Sequence, residues 1–204
     1  RLMLVVRQLR QRMEIQSNRR AYNYPFLMGQ GVWLGSDALY HDDLVGKVLR
    51  QGTLSIGFVG LAEALRVLTG HHHGESSESQ QLGLKIIGYM ADFMERQCRE
   101  TGLNWNLIAT PNKGTAMRFA RLDRKKFGEI PGITDRDKYT ESFLIPEDGS
   151  VDVYQRIRLE APYHALTLGG HLCRAELDSS NPGQELEKVL HAMKEAGIGY
   201  AMAG

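Results

Sequence analysis

Several groups of residues in this chain have the types that chemistry uses. Thr110-Pro-Asn-Lys-Gly-Thr115 joins a β-rich stretch to a helical one. A helix start carries unpaired N–H groups that attract phosphate, and Lys113 and Thr115 add a charge and a hydroxyl. Spacing alone favours a plain strand-to-helix turn, with phosphate binding as the second reading. Glu160-Ala-Pro-Tyr-His164 sets a carboxylate and an imidazole close together in sequence, as an acid/base pair would need. Here too spacing favours the structural alternative. His71, His72 and His73 are consecutive. Successive helical residues point about 100° apart, so three adjacent histidines cannot converge on one metal from one helix. They read as a polar connection between helices. Cys98 and Cys173 read as packed thiols, and Asp123-Arg-Lys-Lys126 as a solvated helix end.

Gly57-Phe-Val-Gly-Leu-Ala62 looks like the end of a dinucleotide-binding GxGxxG turn. The fingerprint requires glycine two residues before Gly57, and Ser55 stands there. The tight turn that admits a pyrophosphate is therefore not specified.

The elements that must position these residues follow from periodicity. A helical pattern covers residues 1 to about 20, with Leu2, Val5, Val6, Leu9 and Met13 on one face. Residues 24–33 are irregular, and 42–49 form a short helix. Thr53 to Phe58 is a short apolar strand; Leu61, Ala64, Leu65 and Leu68 then recur at helical spacing. Ser77, with Gln80 three residues on, opens a long helix as a capping box. Leu82, Ile86, Tyr89, Phe93 and Gln97 trace its inner edge, and Gly102 ends it. Strands are expected at 103–110, 140–145, 171–177 and 197–204. A last helix has Asn181 as its cap, Pro182 at its first position and Gly197 past its end. Leu186, Val189, Leu190 and Met193 form its buried stripe. Alternating strands and helices predict an α/β fold with a largely parallel sheet.

The 204 residues are 42% hydrophobic and 24% charged, which suits one soluble globular unit or a large piece of one. A net charge of +1 provides no overall field for nucleic acid or an anionic membrane. No apolar run approaches the ~20 residues of a membrane span, and no signal peptide is visible. Two cysteines imply no disulfide framework, fit a cytoplasmic location, and exclude a four-cysteine zinc site within the chain. The first residues already lie inside a helical pattern without a cap, and the last read as a strand with nothing after it. The expectation is an internal fragment: one partial domain over 1–204, truncated at both ends.

An ordered set of motifs runs across nearly the whole chain. It comprises Glu14-Ile-Gln-Ser-Asn18, Tyr24-Pro-Phe-Leu-Met-Gly-Gln-Gly31, Gly52-Thr-Leu-Ser-Ile-Gly-Phe-Val-Gly-Leu-Ala-Glu63 and His72-His-Gly-Glu-Ser76. Arg118-Phe119, Asp123-Arg-Lys-Lys-Phe-Gly128, Ile130-Pro-Gly-Ile-Thr-Asp135, Glu160-Ala-Pro-Tyr-His164 and Gly197-Ile-Gly-Tyr200 complete it. Together they resemble the catalytic domain of the anaerobic (class III) ribonucleoside-triphosphate reductases, which are glycyl radical enzymes. The resemblance implies a ten-stranded α/β barrel, of which this chain is roughly the second half. It implies an oxidoreductase that reduces ribonucleoside triphosphates for deoxyribonucleotide biosynthesis and DNA replication. It also implies a homodimer, a radical-SAM activating enzyme as partner, and ATP or dNTP effectors. The glycyl radical, the thiyl cysteine and a structural zinc fall outside this chain, so no catalytic residue is assigned within it, and the fragment alone is expected to be inactive. In this family the loop at Thr110, Pro111, Asn112, Lys113, Gly114 and Thr115 faces the substrate phosphates, which promotes the phosphate reading.

The chain departs from the family pattern at strand ends. After Thr110-Pro111 the family usually shows a small residue and Glu; here Asn112 and Lys113 follow. After Tyr139-Thr140 it usually has Asn-Ser and soon His; here stand Glu141-Ser142 and Leu144. Before Gly169-Gly170-His171 it usually has Asn; here it is Leu168. These changes leave two alternatives open: another glycyl radical enzyme acting on a different small molecule, or a non-catalytic nucleotide-binding remnant.

Overall fold

The computed structural model describes residues 1–146, 151–175, 177 and 181–203. Among these are seven α-helices and four strands: α1 (Leu2–Ser17), α2 (Gly46–Leu49), β1 (Thr53–Gly57), α3 (Leu61–Thr69), α4 (Ser77–Thr101), β2 (Asn104–Ile108), α5 (Lys113–Phe127), α6 (Val153–His164), β3 (Cys173–Ala175), α7 (Pro182–Glu195) and β4 (Ala201–Ala203). Strands and helices alternate as the sequence predicts up to α5; beyond it the order departs from the expectation. The strands form two two-stranded sheets, β1 with β2 and β3 with β4, and no closed sheet is present among the described residues. β3 and β4 are parallel, with Cys173 opposite Ala201 and Ala175 opposite Ala203. A single parallel bridge, Ala109 to His171, continues the line of β2 toward β3. The expected single sheet through 53–58, 104–110 and 171–177 is thus present only as two short pairs and a bridge.

Contacts cluster into two compact units, one of residues 1–56 and 93–106, the other of 57–92 and 107–204. In the first, α1 turns Val6 fully inward and half-buries Leu2, Val5, Leu9 and Met13, the face its spacing predicts. A small core of Ala21, Met28, Val45 and Val48 packs with Tyr24, Trp33, Leu39 and Leu49. The Trp33 indole donates to the Val48 carbonyl at 3.1 Å. The Cys98 thiol donates to the Trp105 carbonyl and accepts from the Trp105 N–H, both at 3.3 Å, and so plays a structural part.

In the second unit, Gly60 starts α3 with φ +80°, a left-handed conformation that glycine adopts without strain. The buried face of α4 here is Ser79, Gly83 and Ile87, one residue out of phase with the expected Leu82 and Ile86. The reason is close packing. A Cβ on Gly83 would collide with the Tyr163 hydroxyl, so only glycine lets the side chain of α6 reach α4. Nor does Gln80 complete a capping box. Its amide donates to the Leu159 carbonyl at 2.7 Å and its Oε1 accepts from the Tyr163 hydroxyl at 3.0 Å. The hydroxyl of Ser76, one residue earlier than expected, accepts from the Ser79 N–H.

The predicted strand at 140–145 does not form. Glu141 makes one antiparallel bridge to Val59, and then Ser142 takes φ +57°. That turn ends any pairing and drives Phe143 and Ile145 into the core, where they are 0% and 2% exposed. α6 was not anticipated. Pro162 inside it hides the pattern, although Asp152, whose carboxylate accepts from the Gln155 N–H at 2.8 Å, is a legible cap. Cys173 packs among Ile157, Val189, Met193 and Ile198, and burial pushes its thiol up to about 12. On α7 only Val189 and Met193 of the expected stripe are buried; Leu186 and Leu190 remain exposed.

Candidate functional site

The Thr110–Thr115 segment sits at the C-terminal end of β2, where open α/β sheets present their ligand sites. Ala109 is held by a hydrogen bond from its N–H to the Gly170 carbonyl, 2.8 Å, and the Gly169 N–H donates to Leu107 at 2.9 Å. The chain leaves the strand through Thr110 and Pro111 and enters α5 at Lys113. Asn112 caps the helix: its Oδ1 accepts from the Thr115 N–H at 3.0 Å. One free donor of the helix start is therefore already satisfied from within the chain. Ala116 and Ala120 anchor the inner face of α5 against Tyr139. Thr110, Asn112, Lys113 and Gly114 stay exposed. Lys113 makes no ion pair among the described residues.

A cavity of about 310 Å³ opens beside this turn. Phe58, Val59, Ile108 and Phe119 supply its apolar wall, and Thr110, Asn112 and Thr115 its polar atoms. Pro111, Lys113 and Gly114 belong to the turn but do not line the cavity. The strand-end positions that depart from the family pattern meet around this end of β2. The Ser142 hydroxyl donates to the Thr110 carbonyl at 3.4 Å, and the segment after Leu168 pairs with β2 as described. Glu141 itself is 3% exposed and takes the Lys138 ammonium at 3.1 Å, while Leu168 is 85% exposed. A larger groove of about 890 Å³ lies in the first unit along α1. Its charges are mixed, with Arg7, Arg10 and Arg50 alongside Glu14 and Glu100, and they do not converge on one ligand type.

The other sequence candidates are structural. Two of the three consecutive histidines are buried, against the expectation of a polar connection: His72 is 0% and His73 1% exposed, while His71 is open to solvent. The His72 Nδ1 accepts from the Gly74 N–H at 2.9 Å, and the His72 N–H donates to Glu75 at 2.7 Å. The His73 Nε2 donates to the Phe143 carbonyl at 2.7 Å. Burial holds His73 down to about 4, against a smaller opposing effect of that hydrogen bond. His164 is likewise pushed down to about 4 by burial and by the neighbouring His171. Both ring nitrogens of His164 lack a hydrogen-bond partner among the described residues. Its neighbours are the rings of Phe143 and His171. Glu160 is fully buried and accepts from the Ile145 N–H at 2.8 Å. Glu160 and His164 thus share a helix and are both buried, at 0% and 5% exposed.

Sequence reasoning also missed Glu63. In the first turn of α3 its carboxylate accepts from the Thr140 N–H at 2.9 Å and the Thr140 hydroxyl at 2.7 Å, tying down the segment before Glu141. An acid in the first turn of α3 was the available signal. Among the described residues no three His, Cys, Asp or Glu side chains come together to hold a metal ion. No helix of the described residues is long and apolar enough to cross a membrane.

The fold and the strand-end turn place the chain in the α/β class, and comparison with known proteins narrows it. The family model for anaerobic ribonucleoside-triphosphate reductase matches residues 1–203. The chain belongs to that family. It is 34% identical over 138 residues to the anaerobic ribonucleoside-triphosphate reductase of Escherichia coli (strain K12), covering 66% of this chain and 19% of that protein. It is 30% identical over 179 residues to the Haemophilus influenzae enzyme, covering 86% and 25%. The chain thus spans about a fifth to a quarter of the length of these curated relatives. Among solved structures, the Thermotoga maritima anaerobic ribonucleotide reductase with glycerol in the active site superposes with a TM-score of 0.65 at 19% identity, over 97% of this chain and 31% of that one. The same enzyme in complex with dATP and CTP gives 0.63, also at 19% identity, over 97% and 32%. These superpositions establish the fold.

Proposed function

We propose that the protein containing this chain is an anaerobic ribonucleoside-triphosphate reductase, and that residues 1–204 form part of its catalytic domain, a portion of a ten-stranded α/β barrel. The observation that carries the reading is the family match over residues 1–203. The role of this chain is positional: it presents a strand-end turn to the substrate while radical chemistry is supplied by residues elsewhere. The substrate phosphates meet the exposed start of α5. There the N–H groups of Lys113 and Gly114 have no partner in the helix, and the Lys113 ammonium adds positive charge. Thr110, Pro111, Asn112 and Thr115 shape the turn, with Asn112 fixing its geometry by capping the helix.

The glycyl radical, the thiyl cysteine and a structural zinc belong to parts of the protein beyond these residues. Neither Cys98 nor Cys173 fits a radical role: one is hydrogen-bonded from the last turns of α4 to Trp105, the other packed in a core. The family resemblance also supports a homodimer, a radical-SAM activating enzyme, ATP or dNTP effectors and a cytoplasmic, nucleotide-binding protein. The test is anaerobic turnover of the full-length protein with its activating enzyme, scored by deoxyribonucleotide formation. Formation of product from a ribonucleoside triphosphate is expected. A radical-bearing full-length protein that leaves every ribonucleoside triphosphate unchanged would favour a glycyl radical enzyme of different substrate.

A further inference from the structure

We infer that the cavity beside the strand-end turn is a slot for the flat heteroaromatic ring of the nucleotide, with Phe119 as the side chain that sets its grip. The inference rests on the nucleotide reading proposed above and assigns a different part of the ligand to a different part of the site. The cavity walls are Phe58, from just past the end of β1, and Phe119, from the second turn of α5, together with Val59 and Ile108. No cation lines it. A phosphate placed there would lose water without gaining a charged partner, which is costly. The atoms available are neutral: the hydroxyls of Thr110 and Thr115 and the amide of Asn112, whose Oδ1 is taken by the cap and whose NH₂ remains to donate.

Apolar walls with a few neutral hydrogen-bonding groups suit a neutral ring with polar edges. The volume, about 310 Å³, lies at the small end for ligand pockets and matches one ring system better than a whole triphosphate nucleotide. Lys113 and Gly114 lie on the same turn but outside the cavity, so charge and ring have separate places. Phe119 is 45% exposed although it is a large apolar side chain at the rim of a cavity. A ring laid against it would cover that surface, and aromatic stacking tolerates any base.

The experiment is calorimetric titration of the full-length protein, effector sites saturated, with a ribonucleoside triphosphate and separately with inorganic tripolyphosphate. Phe119→Ala is expected to weaken the nucleoside triphosphate by about tenfold or more and to leave tripolyphosphate unchanged. Phe119→Tyr keeps a ring and is expected to restore nucleotide binding. The half-exposed position makes loss of folding an inadequate explanation, and far-UV circular dichroism checks it. Phe119→Ala binding the nucleotide like wild type overturns the slot; so does a parallel loss of tripolyphosphate. Lys113→Glu separates the two ideas, since it should weaken both ligands. If it weakens neither while Phe119→Ala still weakens the nucleotide, the phosphate assignment falls and the ring slot stands.

Discussion

Two regions of the second unit carry the residues that chemistry prefers, and they have opposite fates. Around Phe143 and Tyr163, His72, His73, Glu160 and His164 are all at most 5% exposed, and several of their rings are packed on one another. At the start of α5, Asn112, Lys113 and Gly114 are exposed, and a cavity opens beside them. The first region is richer in titratable side chains, yet those groups serve to hold segments together: His73 ties down Phe143, and Glu160 ties down Ile145. The second has one lysine and a few neutral groups, and it has room. Access, more than residue type, separates a site from a core.

If the contrast is right, the two regions respond to different measurements. The largest effect belongs to the buried one. Tyr163→Ala removes the stack on Phe143 and the hydroxyl bond to Gln80, and should cost about 3–5 kcal/mol in denaturant unfolding of the full-length protein. A loss below 1 kcal/mol would break the comparison by showing that this region is not a core.

A pH dependence follows from His73 and His164. Their folded values lie near 4, below the ~6.5 of an unfolded histidine. Between those limits the unfolded chain binds more protons than the folded one. Stability is therefore fully present above about pH 6.5 and is lost as the pH falls toward 4, by up to about 1.4 kcal/mol per pH unit for each histidine. His164→Phe, a ring replacing a ring beside Phe143, should reduce the slope in that window. An unchanged slope would assign the acid sensitivity to other groups.

The exposed turn should be nearly silent in stability. Asn112→Ala removes the cap on α5 and should cost about 1 kcal/mol, whereas Asn112→Gly should cost only a few tenths. A cost for Asn112→Ala as large as that of Tyr163→Ala would mean that the turn, too, is a structural keystone.

Much of this was legible in the sequence. The inward face of α1, the strand and helix at β1 and α3, and a strand-to-helix turn at Thr110–Thr115 follow from local periodicity, which acts over a few residues. The Tyr163–Gly83 contact was not legible, because a glycine leaves no apolar signal and its partner is eighty residues away. The same long range hid the burial of His73, whose partner Phe143 comes from a segment that reads as a strand and is turned by Ser142. The turn at Thr110–Thr115 could be located by spacing, but its openness could not, since Phe58, Ile108 and Phe119 come from three separate elements of the chain.

The most direct test of the exposed turn as the phosphate site is calorimetric titration of the full-length protein and its Lys113→Glu variant with a ribonucleoside triphosphate. Reversing this charge is expected to weaken binding by about 1–3 kcal/mol, less at high salt because the turn is open to solvent. It should leave the unfolding midpoint almost unmoved. Equal affinity in wild type and Lys113→Glu, at low salt and with both proteins folded, would contradict the account and return Thr110–Thr115 to a capped strand-to-helix turn.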